Sequence, residues 1–428
     1  MKTKRLPLSV LFFSLLTMGL GLSPVAIASA ETTVTSSTSP GSNVSVEVNS
    51  SSSSTVGFSA KPLHDQTRRV CSVAKSPTDV VCASHVETDK VGKPDITPLP
   101  AGLGPAQFHG AYAVPATSAN PGTIAIVVAY DAPNIKADLD VYNKTFGLPV
   151  FPSCTTRIKS ACFTKMSQNG TSAYPAPNPG WALEASMDVE IAHQMCQNCK
   201  LILVEARSAS YNDLMLAVDR ARLSGATVIS NSWGSGEFSG QTAYDSHFNY
   251  SGLTYLFASG DSGYGTSYPA ASRYAVAIGG TTLTVTPSNA WLNETVWSGA
   301  GSGCSAFELK PAQQHDALCA KRTIADIAAD ADPASGAAVY DSYRYNGQRG
   351  WFQVGGTSLA TPLVAGVYGL ANDLGSGSAL TKAYAASPAT FHDITVGTNG
   401  TCGSYLCQGG AGYDGPTGLG SPLGLAAF

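Results

Sequence analysis

Thr123-Ile124-Ala125-Ile126-Val127-Val128-Ala129-Tyr130 is a nearly continuous apolar run. A strand with one wet face alternates apolar and polar residues, so a run without alternation predicts a strand covered on both faces. Similar runs occupy 201–204, 227–230, 253–258 and 274–278. Helical patterns separate several of them, over 181–195, 212–224 and 241–251. Strand–helix alternation predicts the α/β class, a parallel sheet with helices on its faces. No internal repeat is visible. From Pro98 onward there is enough chain for one large domain.

Three segments place chemistry on this frame. Gly355-Gly356-Thr357-Ser358-Leu359-Ala360-Thr361-Pro362 sets a serine between a glycine turn and an apolar run, 363–370, that predicts a buried helix. Glycines let the backbone bend sharply and approach a ligand closely. A serine at a helix start presents its hydroxyl beside free N–H groups, which suits a nucleophile with an oxyanion donor. Pro362 fits the start of that helix, where N–H groups lack intrahelical partners. Taken alone, the segment equally describes an ordinary N-cap serine.

In Trp181-Ala182-Leu183-Glu184-Ala185-Ser186-Met187-Asp188-Val189-Glu190-Ile191-Ala192-His193, apolar residues recur every four positions, from Leu183 to Met195. That predicts a helix with a buried stripe. Glu184 and Asp188 share one face. No lysine or arginine in the helix relieves their repulsion, and like charge and burial both raise carboxyl pKa values. A pair sharing a proton makes a general base usable in acid. A solvated acidic face is the plainer reading. Ala258-Ser259-Gly260-Asp261-Ser262-Gly263-Tyr264-Gly265 follows a β-like run. Asp261 therefore falls at a strand's end, where α/β proteins place ligand groups, although turns of this composition are common in loops.

With Glu-x-x-x-Asp on a helix, Ser-Gly-Asp after a strand and Gly-Gly-Thr-Ser-x-x-x-Pro near the end, in that order, the chain resembles the sedolisin family, the serine-carboxyl peptidases. The resemblance covers Pro98 to the C-terminus and implies a subtilisin-like parallel β-sheet flanked by helices, with a C-terminal calcium-binding loop. It implies that Ser358 is the nucleophile and Glu184 the general base and later acid. Asp188 would orient Glu184. Asp261 would be protonated and donate to the oxyanion beside the N–H of Ser358. A carboxyl donates only while protonated, so activity is expected in acid. By the same resemblance Ser232, Trp233 and Gly234 would pair with extended substrate. Asp393, Ile394, Gly410, Gly412 and Asp414 would bind Ca²⁺ through carboxylates and main-chain carbonyls, hard oxygen ligands that suit this cation. Tyr413 stands where family members often carry tryptophan, and the segment from Cys402 to Cys407 enlarges the loop. The family's long folded prodomain has too little room here.

The N-terminus carries Lys2, Lys4 and Arg5, an apolar run over 6–22 and Ala28-Ser29-Ala30, which together predict a signal peptide over 1–30 and a secreted protein. Residues 31–97 are expected to form a Ser/Thr-rich linker and a short prosegment-like region, and 98–428 the peptidase domain. Charged residues make up only 13% and the net charge is −4, which argues against a nucleic-acid partner. No later segment is long and apolar enough to predict a membrane span. The expected partners are protein or peptide substrates, with the enzyme acting as a monomer. The ten cysteines fall into neighbours, Cys71/Cys82, Cys154/Cys162, Cys196/Cys199, Cys304/Cys319 and Cys402/Cys407. Behind a signal peptide these are expected as local disulfides, with a redox or zinc role open for Cys196 and Cys199.

The rival catalytic reading is a triad of Asp131, His193 and Ser358, in the chain order of subtilisins. His193 lies nine residues past Glu184, on the other face of the helix, which argues against it. A chymotrypsin-like double barrel, suggested by Asp261-Ser262-Gly263, conflicts with strand–helix alternation. A tripeptidyl exopeptidase and a silent secreted binding protein with this fold remain as alternatives.

Overall fold

The computed structural model describes residues 66–73, 76, 78–373 and 377–428; the expected signal peptide lies outside the described residues. Thr123–Ala129 is a strand, buried throughout from Ile124 to Ala129. It lies at the heart of an eight-stranded sheet. The order across the sheet is Trp291–Val296, Val276–Val285, Thr254–Ala258, Val228–Asn231, Thr123–Ala129, Lys200–Ala206 and Phe163–Ser167, with Ile327–Asp330 also pairing to Val276–Val285. All these pairings are parallel except that of Trp291–Val296. This is the expected α/β arrangement, a mainly parallel sheet with helices packed on it.

The helix Pro179–Met195 begins at Asn178, whose side chain accepts from the N–H groups of Gly180 and Trp181. Every residue from Gly180 to Met195 is buried, so this helix has no wet face. It meets a second buried helix, Thr357–Ala371, where a Cβ on Gly366 would come within 2.2 Å of Met195 Cβ. Only a glycine lets these helices approach so closely. A third helix, Tyr211–Leu223, packs against Thr123–Ala129 and Lys200–Ala206. The helix expected over 241–251 is a short 3₁₀ segment, Gln241–His247. Its polar sequence offers no apolar stripe to extend, and Gly252 turns the chain at φ +73°.

A second, antiparallel sheet joins the hairpin of Ala337–Tyr345 and Gln348–Gly355 to three early strands, Thr67–Arg69, His85–Glu87 and Ile96–Thr97. All five expected disulfides are present, including Cys196–Cys199. Among the described residues no helix is long and apolar enough to cross a membrane.

Several carboxyls are buried where no mechanism uses them. Glu190 accepts the N–H of Tyr340 at 3.0 Å and faces Asp138 and Asp341. Burial pushes Asp341 up to about 8, Glu190 well above the ordinary range, and Asp138 upward. A carboxyl whose folded pKa exceeds its unfolded value favours the fold while protonated. That stability is complete below about pH 4 and is lost as pH rises through the folded value. The protein should therefore melt at a falling temperature from pH 4 to pH 8 in calorimetry. A melting temperature that rises over this range would exclude protonated clusters.

Candidate active site

The candidate residues converge at the C-terminal ends of adjacent parallel strands. Ser232 follows Val228–Asn231, and Asp261 follows Thr254–Ala258. Ser358 is the second residue of Thr357–Ala371, entered through Gly356 at φ +106°. Its Oγ donates to the Ser232 carbonyl at 3.0 Å. The Ser232 hydroxyl donates to Asp188 Oδ1 at 2.7 Å and lies 3.3 Å from the Ser358 carbonyl. That carbonyl is free because Pro362, four residues on, has no N–H to give it. Pro362 thus sits beyond the first turn rather than within it, and it opens an acceptor beside the site.

Glu184 is buried, with Oε2 accepting the Ser84 hydroxyl. Burial pushes Glu184 up to about 8, opposed by the hydroxyls of Ser358 and Ser84. Asp188 is held well above the ordinary range by burial and then by the charge of Glu184. Glu184 Oε1 and Asp188 Oδ2 are both buried without a hydrogen-bond partner. One proton held between neighbouring carboxyls is the simplest way to satisfy both.

Asp261 Oδ1 accepts from Thr357 twice, from the N–H at 2.9 Å and from the hydroxyl at 2.8 Å. Its Oδ2 has no hydrogen-bond partner. Burial raises Asp261, against the opposing charges of His85 and Arg69. The Ser358 N–H donates to the Ala83 carbonyl at 2.8 Å. A Cβ on Gly356 would stand 2.3 Å from that carbonyl oxygen and 2.7 Å from Asp261 Oδ2. A backbone donor and a carboxyl oxygen therefore flank one carbonyl, across a gap kept open by a missing side chain.

Trp233 packs its ring in the core, edge-on to Phe257, and donates Nε1–H to the Val127 carbonyl at 2.9 Å. What Ser232 and Gly234 present to the cleft is backbone. The rival triad does not assemble. His193 packs against Phe151 with ring centroids 4.0 Å apart and planes tilted by 32°, has no hydrogen-bond partner on either nitrogen, and is pushed down to about 3 by burial. Asp131 pairs with Lys165 instead. Thr357, Ala83, Ser84, Arg69 and His85 were not singled out by sequence. Thr357 lay in a quoted motif without a role, and nothing local marks the others.

In the C-terminal loop, Asp393 accepts the Gly412 N–H at 3.1 Å, and Asp414 accepts Gly410 N–H at 3.0 Å and Thr417 N–H at 2.9 Å. Burial and then the charge of Asp393 push Asp414 up to about 7, so the two carboxylates are close neighbours. Among the described residues no cluster of three or more His, Cys, Asp or Glu side chains is placed to hold a metal.

This fold and site place the chain among known proteins. It belongs to the subtilase family, whose peptidase S8 model matches residues 167–401. Within that family it is sedolisin-like. Sedolisin of Pseudomonas sp. (strain 101) is 34% identical over 202 residues, covering 40% of this chain and 33% of that protein. Kumamolisin of Bacillus sp. (strain MN-32) is 30% identical over 298 residues, covering 61% of this chain and 53% of that protein. The chain thus spans from a third to about half the length of these curated relatives. The solved structure of Pseudomonas sedolisin, a serine-carboxyl proteinase complexed with two molecules of pseudo-iodotyrostatin, matches with a TM-score of 0.64 at 28% identity, covering 76% of this chain and 96% of that one.

Proposed function

We propose that this chain is a secreted serine-carboxyl endopeptidase that hydrolyses proteins in acid. The observation that carries the reading is the carbonyl oxygen of Ala83, seated on the Ser358 N–H beside Asp261. The reacting form is the minor one in which Glu184, pushed up to about 8 by burial, has given up its proton while Asp188 and Asp261 keep theirs. Ser358 Oγ turns from the Ser232 carbonyl to the scissile carbon and passes its proton to Glu184. The oxyanion accepts from the Ser358 N–H and from protonated Asp261. Glu184 then protonates the leaving amine, and water, deprotonated by Glu184, resolves the acyl-enzyme. The Ser232 hydroxyl and the shared proton hold Asp188, which orients Glu184.

An endopeptidase is favoured over an exopeptidase by the chain already lying across the site. It continues as paired strand on both sides, Val81–Cys82 on one and His85–Glu87 on the other, so the cleft is open at both ends. Five disulfides favour an oxidising compartment.

The test is a pH–rate profile on an unfolded protein, with Ser358→Ala as the blank. Serine-dependent activity should peak in acid and fall as Asp261 and Asp188 ionise. A neutral or alkaline optimum would sink this mechanism. Asp261→Asn should lower kcat by about 10²- to 10³-fold. It should also flatten the alkaline fall, because an amide donates at any pH. An unchanged alkaline limb would remove Asp261 from the oxyanion site.

The oxygen donors of Asp393, Asp414 and the carbonyls of Ile394, Gly410 and Gly412 suit Ca²⁺, which would tie this loop down by neutralising two adjacent carboxylates. In the Ser358→Ala background, calcium at a hundred times its Kd should stabilise the fold by about 2.7 kcal/mol. Asp414→Ala should abolish that gain, and a gain that survives would place the ion elsewhere.

A further inference from the structure

The polypeptide in the cleft is the protein's own. Val81–Cys82 pairs antiparallel with Trp233–Gly236, with Val81 opposite Gly234 and Cys82 opposite Trp233. Next, the Ala83 N–H donates to the Ser232 carbonyl at 3.1 Å, and the Ala83 carbonyl takes the Ser358 N–H at 2.8 Å. The Ser84 hydroxyl reaches Glu184, the group placed to protonate a leaving amine. Beyond it, His85 and Val86 pair antiparallel with Gly355 and Val354. Extended backbone that satisfies the cleft's donors and acceptors residue by residue is how a peptide substrate binds by strand addition. The registration places the peptide bond joining Ala83 to Ser84 at the nucleophile. Ala83 helps to line a cavity of about 330 Å³ that Gly234 and Asp261 also border.

Both sides of this bond are also held to each other. Cys82 is bridged to Cys71, and Thr67–Arg69 pairs antiparallel with His85–Glu87 across the bond. Val70 N–H donates to the Ser84 carbonyl at 3.0 Å. Arg69 donates to the Asp261 carbonyl at 2.9 Å and to Ser262 Oγ at 3.0 Å, and Tyr345 donates its hydroxyl to the Arg69 carbonyl at 3.0 Å. A substrate leaves once cut, because its two products diffuse apart. Here the amine of Ser84 would stay beside the acyl group on Ser358, at the high effective concentration of an intramolecular partner.

We infer that the segments 66–73 and 78–97 form a built-in, substrate-mimicking inhibitor whose reactive bond joins Ala83 to Ser84. The step follows the mechanism above, on which this inference rests. Ser358 Oγ bonds to the Ala83 carbon, the bond to Ser84 nitrogen breaks, and Glu184 carries the proton from the hydroxyl to that nitrogen. Either water takes the acyl group, leaving a carboxylate at Ala83, or the tethered amine returns and remakes the peptide bond. Inhibition is expected because return is faster than release. His85 and Arg69 add to it: their charges oppose the protonation of Asp261 that an oxyanion donor needs.

The experiment follows two readouts on the full chain in acid: cleavage of an added unfolded protein, and mass spectrometry of the chain for a new N-terminus at Ser84. The intact chain should be slow on the added protein and partly cut at this bond, with Ser358→Ala uncut. Opening the clamp with Cys71→Ser and Cys82→Ser together should raise the rate on added protein by roughly tenfold or more, the scale on which a disulfide-closed loop restrains a chain. Should that pair fail to fold, Arg69→Ala, which loosens the hairpin's hold on Asp261 and Ser262 and removes a charge that opposes protonation of Asp261, should raise the rate by a smaller factor. Full activity of the chain with the bond intact and no gain from either variant would overturn the inhibitor while leaving the peptidase standing. Rapid cutting with immediate full activity would make the bond a simple maturation site and would overturn it too. No serine-dependent cleavage of added protein by any folded variant would defeat the peptidase reading itself.

Discussion

Ser358→Ala should lower kcat on an unfolded protein by on the order of 10⁵-fold, with KM little changed. The nucleophilic oxygen is lost, but an alanine keeps the N–H that now holds the Ala83 carbonyl. Ground-state binding therefore survives while the covalent route closes. The stability cost should be modest. The hydroxyl's acceptor, the Ser232 carbonyl, loses one donor but keeps the Ala83 N–H, so the cost should be about 0.5–1.5 kcal/mol. Measured kcat and KM, with a thermal melt as the control for folding, decide it. Activity within a hundredfold of the parent would show that another residue is the nucleophile.

Glu184→Gln should cost about 10³- to 10⁴-fold in kcat, because an isosteric amide neither takes nor returns the proton. The amide can still accept from Ser84 and would donate to Asp188, so geometry is largely preserved. Burial sets the large effect: Glu184 and Ser358 are both buried, so bulk solvent has poor access to replace the base. Asp188→Asn should cost less, since it leaves the base and removes only its partner. A larger loss in kcat for Asp188→Asn than for Glu184→Gln would mean that Asp188, not Glu184, carries the proton.

The rival triad failed for a reason visible in both sequence and structure. Nine residues along a helix turn His193 away from Glu184, and the structure finds it against Phe151 with no hydrogen bond to either nitrogen. The early strands were not legible. Thr67–Arg69, His85–Glu87 and Ile96–Thr97 are two or three residues long, too short to show any period. The hairpin of Ala337–Tyr345 and Gln348–Gly355 mixes buried apolar residues such as Val339, Phe352 and Val354 with polar ones, without the clean alternation that marks a strand. The proline in Thr357–Ala371 misled for a different reason. Its tolerance depends on the Ser232 hydroxyl reaching the carbonyl it abandons, a contact 126 residues apart.

By itself the sequence determined the parallel core and the two buried helices. It suggested the five cysteine pairs, each of which bridges at most 15 residues, and the structure fixed their connectivity. Apolar runs, helical stripes and short loops are local, and their physics is complete within a few turns of chain. Only the tertiary structure decided what meets at Ser358. Thr357 reaches Asp261 across 96 residues, and Ser84 reaches Glu184 across 100. Strand register and close helix packing make those meetings, and neither leaves a mark on the residues that meet. The same packing seats the protein's own Ala83 carbonyl between the Ser358 N–H and Asp261, a placement that composition and spacing do not encode.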